Sequence, residues 1–409
     1  MRRVLLTAIA VLAAIYAVLV VWRQNERAAG LDFYVYYVNA QIAGRADIDN
    51  IYDRDVQSRV GEEYFERAQR SGSELRKYDA QRRRFVDSVS SPFLYTCLRW
   101  VSRDYDLALR QYHVVVLTAF LAGCILIARA VRLSWVSTLF LIAGLLWYYR
   151  GFEADLRVGN VNSLQLLALG AAFNATPLAA GAIIGALISF KPNLLVVPLL
   201  LMVSRVAAGE WRRLRLESIG GAAGVAVALI AASISYGTPR IWLQWVSRAN
   251  EFYHRLPTRT ERNVTPALAF FHEHGAWPSY ALAFLLTVAA CVAIWRSTRT
   301  DDVLIAGTAI LIYLMSATVV WLHYMVLVIP VAFALLRWRG TAVVSLIALA
   351  AIAEEPFETL TGIAVYPNDA RLLAPAFLTL FVCALWKIRF PPSETGTLTP
   401  VQRPERAAA

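Results

Sequence analysis

The sequence predicts an all-α integral membrane protein, a bundle of about twelve transmembrane helices with short amphipathic helices in its first outer loop. Three observations carry this. Of 409 residues, 58% are hydrophobic and only 17% charged, and mean hydropathy is +0.50; a soluble chain of this length needs a larger charged surface. The apolar residues form long runs, such as Val4–Val21, Val114–Ala128, Ile219–Ile234 and Ala281–Trp295, which approach the roughly 20 residues needed to cross a hydrocarbon core of about 30 Å. The runs are continuous rather than alternating, which indicates helices and not the strands of a barrel.

In chain order, candidate spans fall near 4–22, 113–131, 134–149, 162–175, 178–190, 193–204, 218–236, 277–296, 302–320, 323–338, 341–354 and 371–388. The first run ends Val20-Val21-Trp22-Arg23, an interfacial aromatic followed by a charge, so it reads as a retained span and not a cleaved leader. The segments 178–190 and 193–204 are short and meet at Lys191-Pro192. Proline removes a backbone donor there and disfavours helix at the residue before it. A broken pair that enters and returns is expected. With the N-terminus inside, the inner connections are then Arg129–Arg132, the segment holding Arg205, Arg212, Arg213 and Arg215, Arg296–Arg299, Arg337–Arg339 and the tail from Lys387. All are short and basic, as the positive-inside rule requires.

The outer face receives loops at about 23–112 and 237–276, with shorter ones at 150–161 and 354–370. In the first, Asp47–Glu66 and Gly72–Val86 read as surface helices, their Tyr64, Phe65 and Phe85 among charges suited to a membrane surface. Residues 1–390 form a single transmembrane domain, and 391–409 read as a disordered cytoplasmic tail. The formal net charge of +11 fits basic residues flanking spans beside anionic headgroups, so membrane lipid and not nucleic acid is the expected partner. Cys97, Cys124, Cys291 and Cys383 lack metal-ligand spacing and suggest no disulfide framework.

Polar residues of chemical interest gather on the outer face. Asp32 opens Asp32-Phe33-Tyr34-Val35-Tyr36-Tyr37 just after the first span. It reads either as a helix-capping residue in an interfacial aromatic belt or as a partly desolvated carboxylate able to act as general base. Lys191, at the broken pair, reads as a snorkelling side chain or as a fixed cation for a lipid-linked phosphate. His323, in Trp321-Leu322-His323-Tyr324, is either interfacial packing or a phosphate- or proton-binding group. Asn160 and Asn162 stand at the head of the fourth span, where capping is the plainer role. Arg248, His254, Arg255, Arg259 and Arg262 make the second loop basic, beside Asn263-Val264-Thr265. No phosphate-cradling glycine loop, HExxH helix or nucleophile elbow is present.

Taken in order, Asp32-Phe33-Tyr34-Val35-Tyr36-Tyr37, Gly44, Ile51-Tyr52-Asp53, Ser91-Pro92-Phe93-Leu94-Tyr95, Gly159-Asn160-Val161-Asn162 running into Leu164–Ala172, Ala180-Gly181, Lys191-Pro192, Asn263-Val264-Thr265 and Trp321-Leu322-His323-Tyr324 resemble the polyprenyl-phosphate-mannose-dependent α-mannosyltransferases of the GT-C superfold, the family that includes a phosphatidylinositol mannoside mannosyltransferase. The likeness spans roughly residues 30–335. It departs where the family usually has Gly-Gln-x-Asn in place of Gly159-Asn160-Val161-Asn162, and where a second proline usually follows the tyrosine at Thr96-Cys97.

The resemblance implies a GT-C-type bundle whose first outer loop supplies an acidic base, a place held by Asp32. It implies sugar transfer from a polyprenyl-phosphate donor to a glycolipid or glycan acceptor, with inversion. It implies substrate-binding roles for Tyr36, Tyr37, Asn160, Asn162, Lys191, Arg262, Asn263, His323 and Tyr324. No metal or other cofactor is expected. The expected setting is a bacterial plasma membrane with the active site outward and both termini cytoplasmic. An arabinofuranosyl or other lipid-linked-sugar transferase of the same superfold, and a lipid-linked-sugar transporter or flippase, are the alternatives.

Overall fold

In a computed structural model, which describes residues 2–255, 265–267, 276–297, 301–353 and 370–391, every regular element is helical. In order they are α1 (Arg2–Asn25), α2 (Leu31–Ile42), α3 (Arg54–Gln69), α4 (Glu74–Arg82), α5 (Pro92–Cys97), α6 (Tyr105–Ala130), α7 (Trp135–Tyr148), α8 (Arg150–Val158), α9 (Asn162–Asn174), α10 (Pro177–Phe190), α11 (Val196–Ala207), α12 (Trp211–Tyr236), α13 (Ile241–Arg255), α14 (Trp277–Trp295), α15 (Asp302–Ser316), α16 (Ile329–Leu335), α17 (Arg339–Ala353) and α18 (Ala370–Arg389). Two 3-10 turns, Pro192–Leu194 and Leu322–Val328, interrupt the series. One buried apolar core runs through the chain from Ala17 to Ile388. The expected tail lies, apart from Pro391, outside the described residues.

Each of the twelve expected spans contains helix. Among the described residues, however, four helices are long and apolar enough to cross a bilayer unaided: Val4–Asn25, Tyr105–Ala130, Trp211–Tyr236 and Trp277–Trp295. The others are shorter. The 14-residue α10 extends only about 21 Å at 1.5 Å per residue, less than a hydrocarbon core. Such helices stop early for local reasons. Pro192 follows α10, and the expected helix over 323–338 begins as a 3-10 turn with Pro330 after it. Large apolar side chains such as Ile234 (76% exposed) and Phe284 (68%) point outward. That surface suits lipid and not water.

The break at Lys191-Pro192 reverses the chain as expected. Helices α10 and α12 run side by side in the same direction, Gly181 against Glu217 and Gly185 against Gly221. A Cβ on Gly181 would lie 2.0 Å from the Glu217 carbonyl oxygen, and one on Gly220 2.0 Å from that of Leu178, so only small residues allow this approach. Arg205, near the end of α11, binds Glu217 at 3.1 Å and Asp302 at 2.7 Å. The end of α11 therefore returns to the level where α10 begins. Arg205 is 1% exposed, and Arg213 joins the same network through Glu217 and Asp302.

The segment expected as the first outer loop folds into α2–α5. The expected surface helices, Asp47–Glu66 and Gly72–Val86, appear as α3 and α4. Their starts are set by the Asp53 side chain, which accepts from the Asp55 and Val56 amides, and by Ser73, which accepts from the Arg76 amide. Of the residues expected at a membrane surface, Tyr64 does not face outward, whereas Phe85 is 38% exposed. Helix α3 buries Val60, Tyr64 and Ala68 against protein, and α4 has no apolar stripe but buries Asp79 and Ala80. Nor is the 33–37 stretch an interfacial belt: Phe33, Tyr34, Val35, Tyr36 and Tyr37 are buried inside the protein on α2. Two further helices lie within expected loops. Helix α8 ends at Gly159 in the left-handed region (φ 68°), and α13 is tied down by Arg248 to Asp87 at 2.8 Å and Trp245 to the Val89 carbonyl at 3.1 Å.

Candidate active site

Asp32 sits in the first turn of α2, with its side chain 14% exposed. One carboxylate oxygen, Oδ1, accepts from Arg83 Nη2 at 2.7 Å, and the other, Oδ2, from Asn160 Nδ2 at 2.7 Å. Helix α4 fixes the segment around it. Asp79 Oδ2 accepts from the Gly30 amide at 3.1 Å and from the Tyr105 hydroxyl at 2.5 Å. Arg83, which caps α4, also donates through Nε to the Leu31 carbonyl at 3.2 Å. Gly30, Leu31 and Asp32 are thus gripped by the last turn and C-cap of one short helix. Burial pushes the Asp79 carboxyl up to about 6, against the opposing effect of its Tyr105 and Gly30 hydrogen bonds.

The turn between α8 and α9 presses on the same helix. A Cβ at Gly159 would lie 2.5 Å from the Phe33 Cβ, and the positive φ independently favours glycine there. This contact carries Asn160 to Asp32. Asn160 Oδ1 in turn accepts from Lys191 Nζ at 3.0 Å, so one amide joins the carboxylate to the ammonium. Asn162 lies behind it, accepting from Lys191 Nζ at 3.4 Å and donating to the His323 carbonyl at 3.2 Å.

Beneath the two asparagines lies Asp155, fully buried on α8. It accepts from Asn162 Nδ2 at 2.9 Å, the Asn162 amide at 3.3 Å, the Ser163 amide at 2.9 Å and the Ser163 hydroxyl at 2.6 Å. Burial raises its carboxyl above the usual range, and these hydrogen bonds with the charge of Lys191 oppose the rise. Ordered through the turn, Asp155 orients the asparagines that orient Asp32 and Lys191.

Lys191 is held from the other side by aromatic packing, its Nζ 4.4 Å from the centroid of the Tyr324 ring. The hydroxyl of Ser91 donates to the Phe190 carbonyl at 2.8 Å and so anchors the residue before it. His323 stacks on Tyr324 with centroids 4.8 Å apart. It is 5% exposed, and among the described residues its Nε2 has no hydrogen-bond partner.

Most of the expected site residues are thus brought together: Asp32, Asn160, Asn162, Lys191, His323 and Tyr324. Tyr36 lies one helical turn after Asp32 and packs on Tyr95, centroids 6.3 Å apart. Tyr37 turns elsewhere: its hydroxyl donates to the Arg103 carbonyl at 2.5 Å and its ring meets Tyr105. Arg262 and Asn263 lie outside the described residues. Reading the sequence missed Arg83, Asp79 and Asp155. Only Asp155 left a trace, as a carboxylate five residues before Asn160 in an otherwise charged connection. Among the described residues no three His, Cys, Asp or Glu side chains gather as a metal site.

The arrangement places a carboxylate beside a cation with an amide between them, walled by aromatic rings and apolar helices. It can take a proton from a hydroxyl on one side and receive negative charge on the other. No curated protein and no solved structure matches the chain. A family model does match, that of glycosyltransferase family 87, over residues 89–320. The match takes in Asn160, Asn162, Lys191 and the Asp155 that orders them; Asp32 and Arg83 precede it and join the matched region through the hydrogen bonds just described. With more than half of its length matched, the chain belongs to glycosyltransferase family 87 and is a membrane glycosyltransferase.

Proposed function

We propose that this glycosyltransferase moves mannose from a polyprenyl-phosphate donor to a glycolipid or glycan acceptor, with inversion and with Asp32 as the base. The observation that carries the reading is the Asp32–Asn160–Lys191 bridge, with hydrogen bonds of 2.7 and 3.0 Å. The acceptor hydroxyl gives its proton to Asp32 as its oxygen bonds to the sugar C1. The bond from C1 to the phosphate oxygen breaks, and its electron pair leaves with the polyprenyl phosphate. Lys191 supplies a fixed positive charge to that leaving group, and such preorganised charge acts strongly in a water-poor site. His323, whose Nε2 has no hydrogen-bond partner among the described residues, and Arg262 are further ligands for the phosphate, while Tyr36, Tyr324 and Asn263 line the sugars and Tyr37, turned to Arg103 and Tyr105, has no part in the site. The phosphate ester is already activated, so no cofactor takes part.

A lipid-linked donor also accounts for a catalyst built from apolar helices, since its tail can enter sideways from the bilayer. In this reading residues 1–390 are one transmembrane unit of about twelve crossings. The site faces outward from a bacterial plasma membrane, and both termini are cytoplasmic. The test is transfer by purified, reconstituted protein from labelled polyprenyl-phosphate mannose. Asp32→Asn is expected to abolish transfer while donor binding persists. Full activity in that variant overturns the base assignment. Transfer of arabinofuranose in place of mannose, or translocation without transfer, overturns the donor or the reaction class.

A further inference from the structure

The base is held in a way that its proposed chemistry does not need. Asp32 Oδ1 is engaged by the Arg83 guanidinium at 2.7 Å and Oδ2 by Asn160 at 2.7 Å. Asn160 is locked in the α8–α9 turn, where its own carbonyl accepts from the Tyr112 hydroxyl at 2.9 Å. Arg83 is held far less. It caps the short α4, its side chain is 35% exposed, and among the described residues its other hydrogen bond goes to the Leu31 carbonyl at 3.2 Å.

Charge sharpens the contrast. The cluster pairs the Asp32 carboxylate with Arg83 and sets Lys191 near Asp155, and Asp79 adds a third carboxyl on the last turn of α4. No cation there lacks an acidic neighbour. A donor phosphodiester brings one more negative charge, which a cation must meet. Lys191 is fixed by two amide oxygens and the Tyr324 ring. Arg83 sits at the rim, and its planar fork suits phosphate oxygens as well as carboxylate oxygens.

We infer that Arg83 is a ligand of the donor phosphate, and that it reaches the phosphate by leaving Asp32. Donor binding then does two things at once. It gains a charge-assisted pair and vacates Asp32 Oδ1 for the acceptor hydroxyl. The base opens only when there is a sugar to transfer. This rests on the donor class proposed above, but not on Asp32 being the base.

A binding cycle tests it without turnover. Affinity for a short-chain prenyl phosphate is measured on the full chain in nanodiscs for wild type, R83Q, D32N and the double variant. R83Q is expected to bind at least about ten-fold more weakly, the scale of one lost hydrogen bond between charged groups, with R83K partly restored. D32N, which removes the competitor for Arg83, is expected to bind about five-fold more tightly, as for a partly exposed ion pair released. In the R83Q background the same D32N change is expected to have no effect. Equal tightening in both backgrounds means that Asp32 merely repels phosphate, and overturns the exchange. R83Q binding like wild type overturns the ligand role. No binding by wild type overturns the donor class and the inference with it, whereas active D32N with an intact cycle overturns only the base.

Discussion

Asp79 turns the geometry around Asp32 into a measurable dependence on pH. Its carboxyl stands at about 6 in the folded protein against an ordinary 3.8, chiefly through burial. A carboxyl with a raised folded value holds its proton over a pH range where the unfolded chain has released it. Below about 4 both states are protonated and the full contribution is present. Between about 4 and 6 the folded state binds more protons, so stability falls as pH rises, and above about 6 the loss is complete. A shift of this size is worth up to about 3 kcal/mol at 1.36 kcal/mol per unit. Asp79→Asn imitates the protonated form. Its amide oxygen can still accept from Gly30 and Tyr105, and its NH2 replaces an Oδ1 that has no partner among the described residues. Denaturant unfolding in detergent should show the variant close to wild type at pH 4. It should become more stable than wild type by up to about 3 kcal/mol at pH 7, and the difference should develop between pH 4 and 6. A difference that is constant across that range refutes the burial argument, because other titrating groups cancel in the comparison.

Two further substitutions test separate parts of the molecule. Asn160→Ala removes the bridge between Asp32 and Lys191, and the loss of hydrogen bonds to two charged groups is expected to lower kcat/KM about 100-fold with folding retained; a change under three-fold would show that the bridge is incidental. Arg205→Met removes the buried cation shared by Glu217 and Asp302, which keep only the half-exposed Arg213, and is expected to destabilise by about 2–3 kcal/mol, read as a lower unfolding midpoint in denaturant, while transfer activity in the remaining folded fraction is unchanged.

What could be read from the sequence depended on whether a residue's surroundings are local. The reversal at Lys191-Pro192 was legible because proline acts on its own helix and because basic connections fix the direction of the helices around it. The role of Gly181, Gly185, Gly220 and Gly224 in bringing α10 against α12 follows from spacing once the two are neighbours, but nothing in either segment says that they are. The places of the apolar helices were legible as apolar runs, and the expected span 162–175 matches α9 closely. Length was less so, since 323–338 opens as a 3-10 turn and becomes α-helix only from Ile329, beside Pro330. The aromatic run after Asp32 shows the limit clearly. Tyrosines facing a membrane interface and tyrosines packed inside protein have the same composition, and only the neighbours on α4, α6 and the α8–α9 turn decide between them.

The site divides along the same line. Asp32, Asn160, Lys191 and His323 are polar residues in apolar or aromatic stretches, so each stood out by contrast. Arg83 had no contrast to offer, being one arginine among many in a charged loop, and its partner is 51 positions away. Asp155 was masked by Glu153 and Arg157 around it, although it is buried and they form an exposed pair at 3.3 Å. The residues missed are therefore those that hold the conspicuous ones in place. That bears on how such a site can change: in the proposed chemistry the groups that meet substrate are confined to a few positions, whereas α4 and the α8–α9 turn meet Asp32 through one arginine and one asparagine, and a shift of either element moves Asp32 relative to Lys191. Orientation of the Asp32 carboxylate, more than its presence, is what these two elements control.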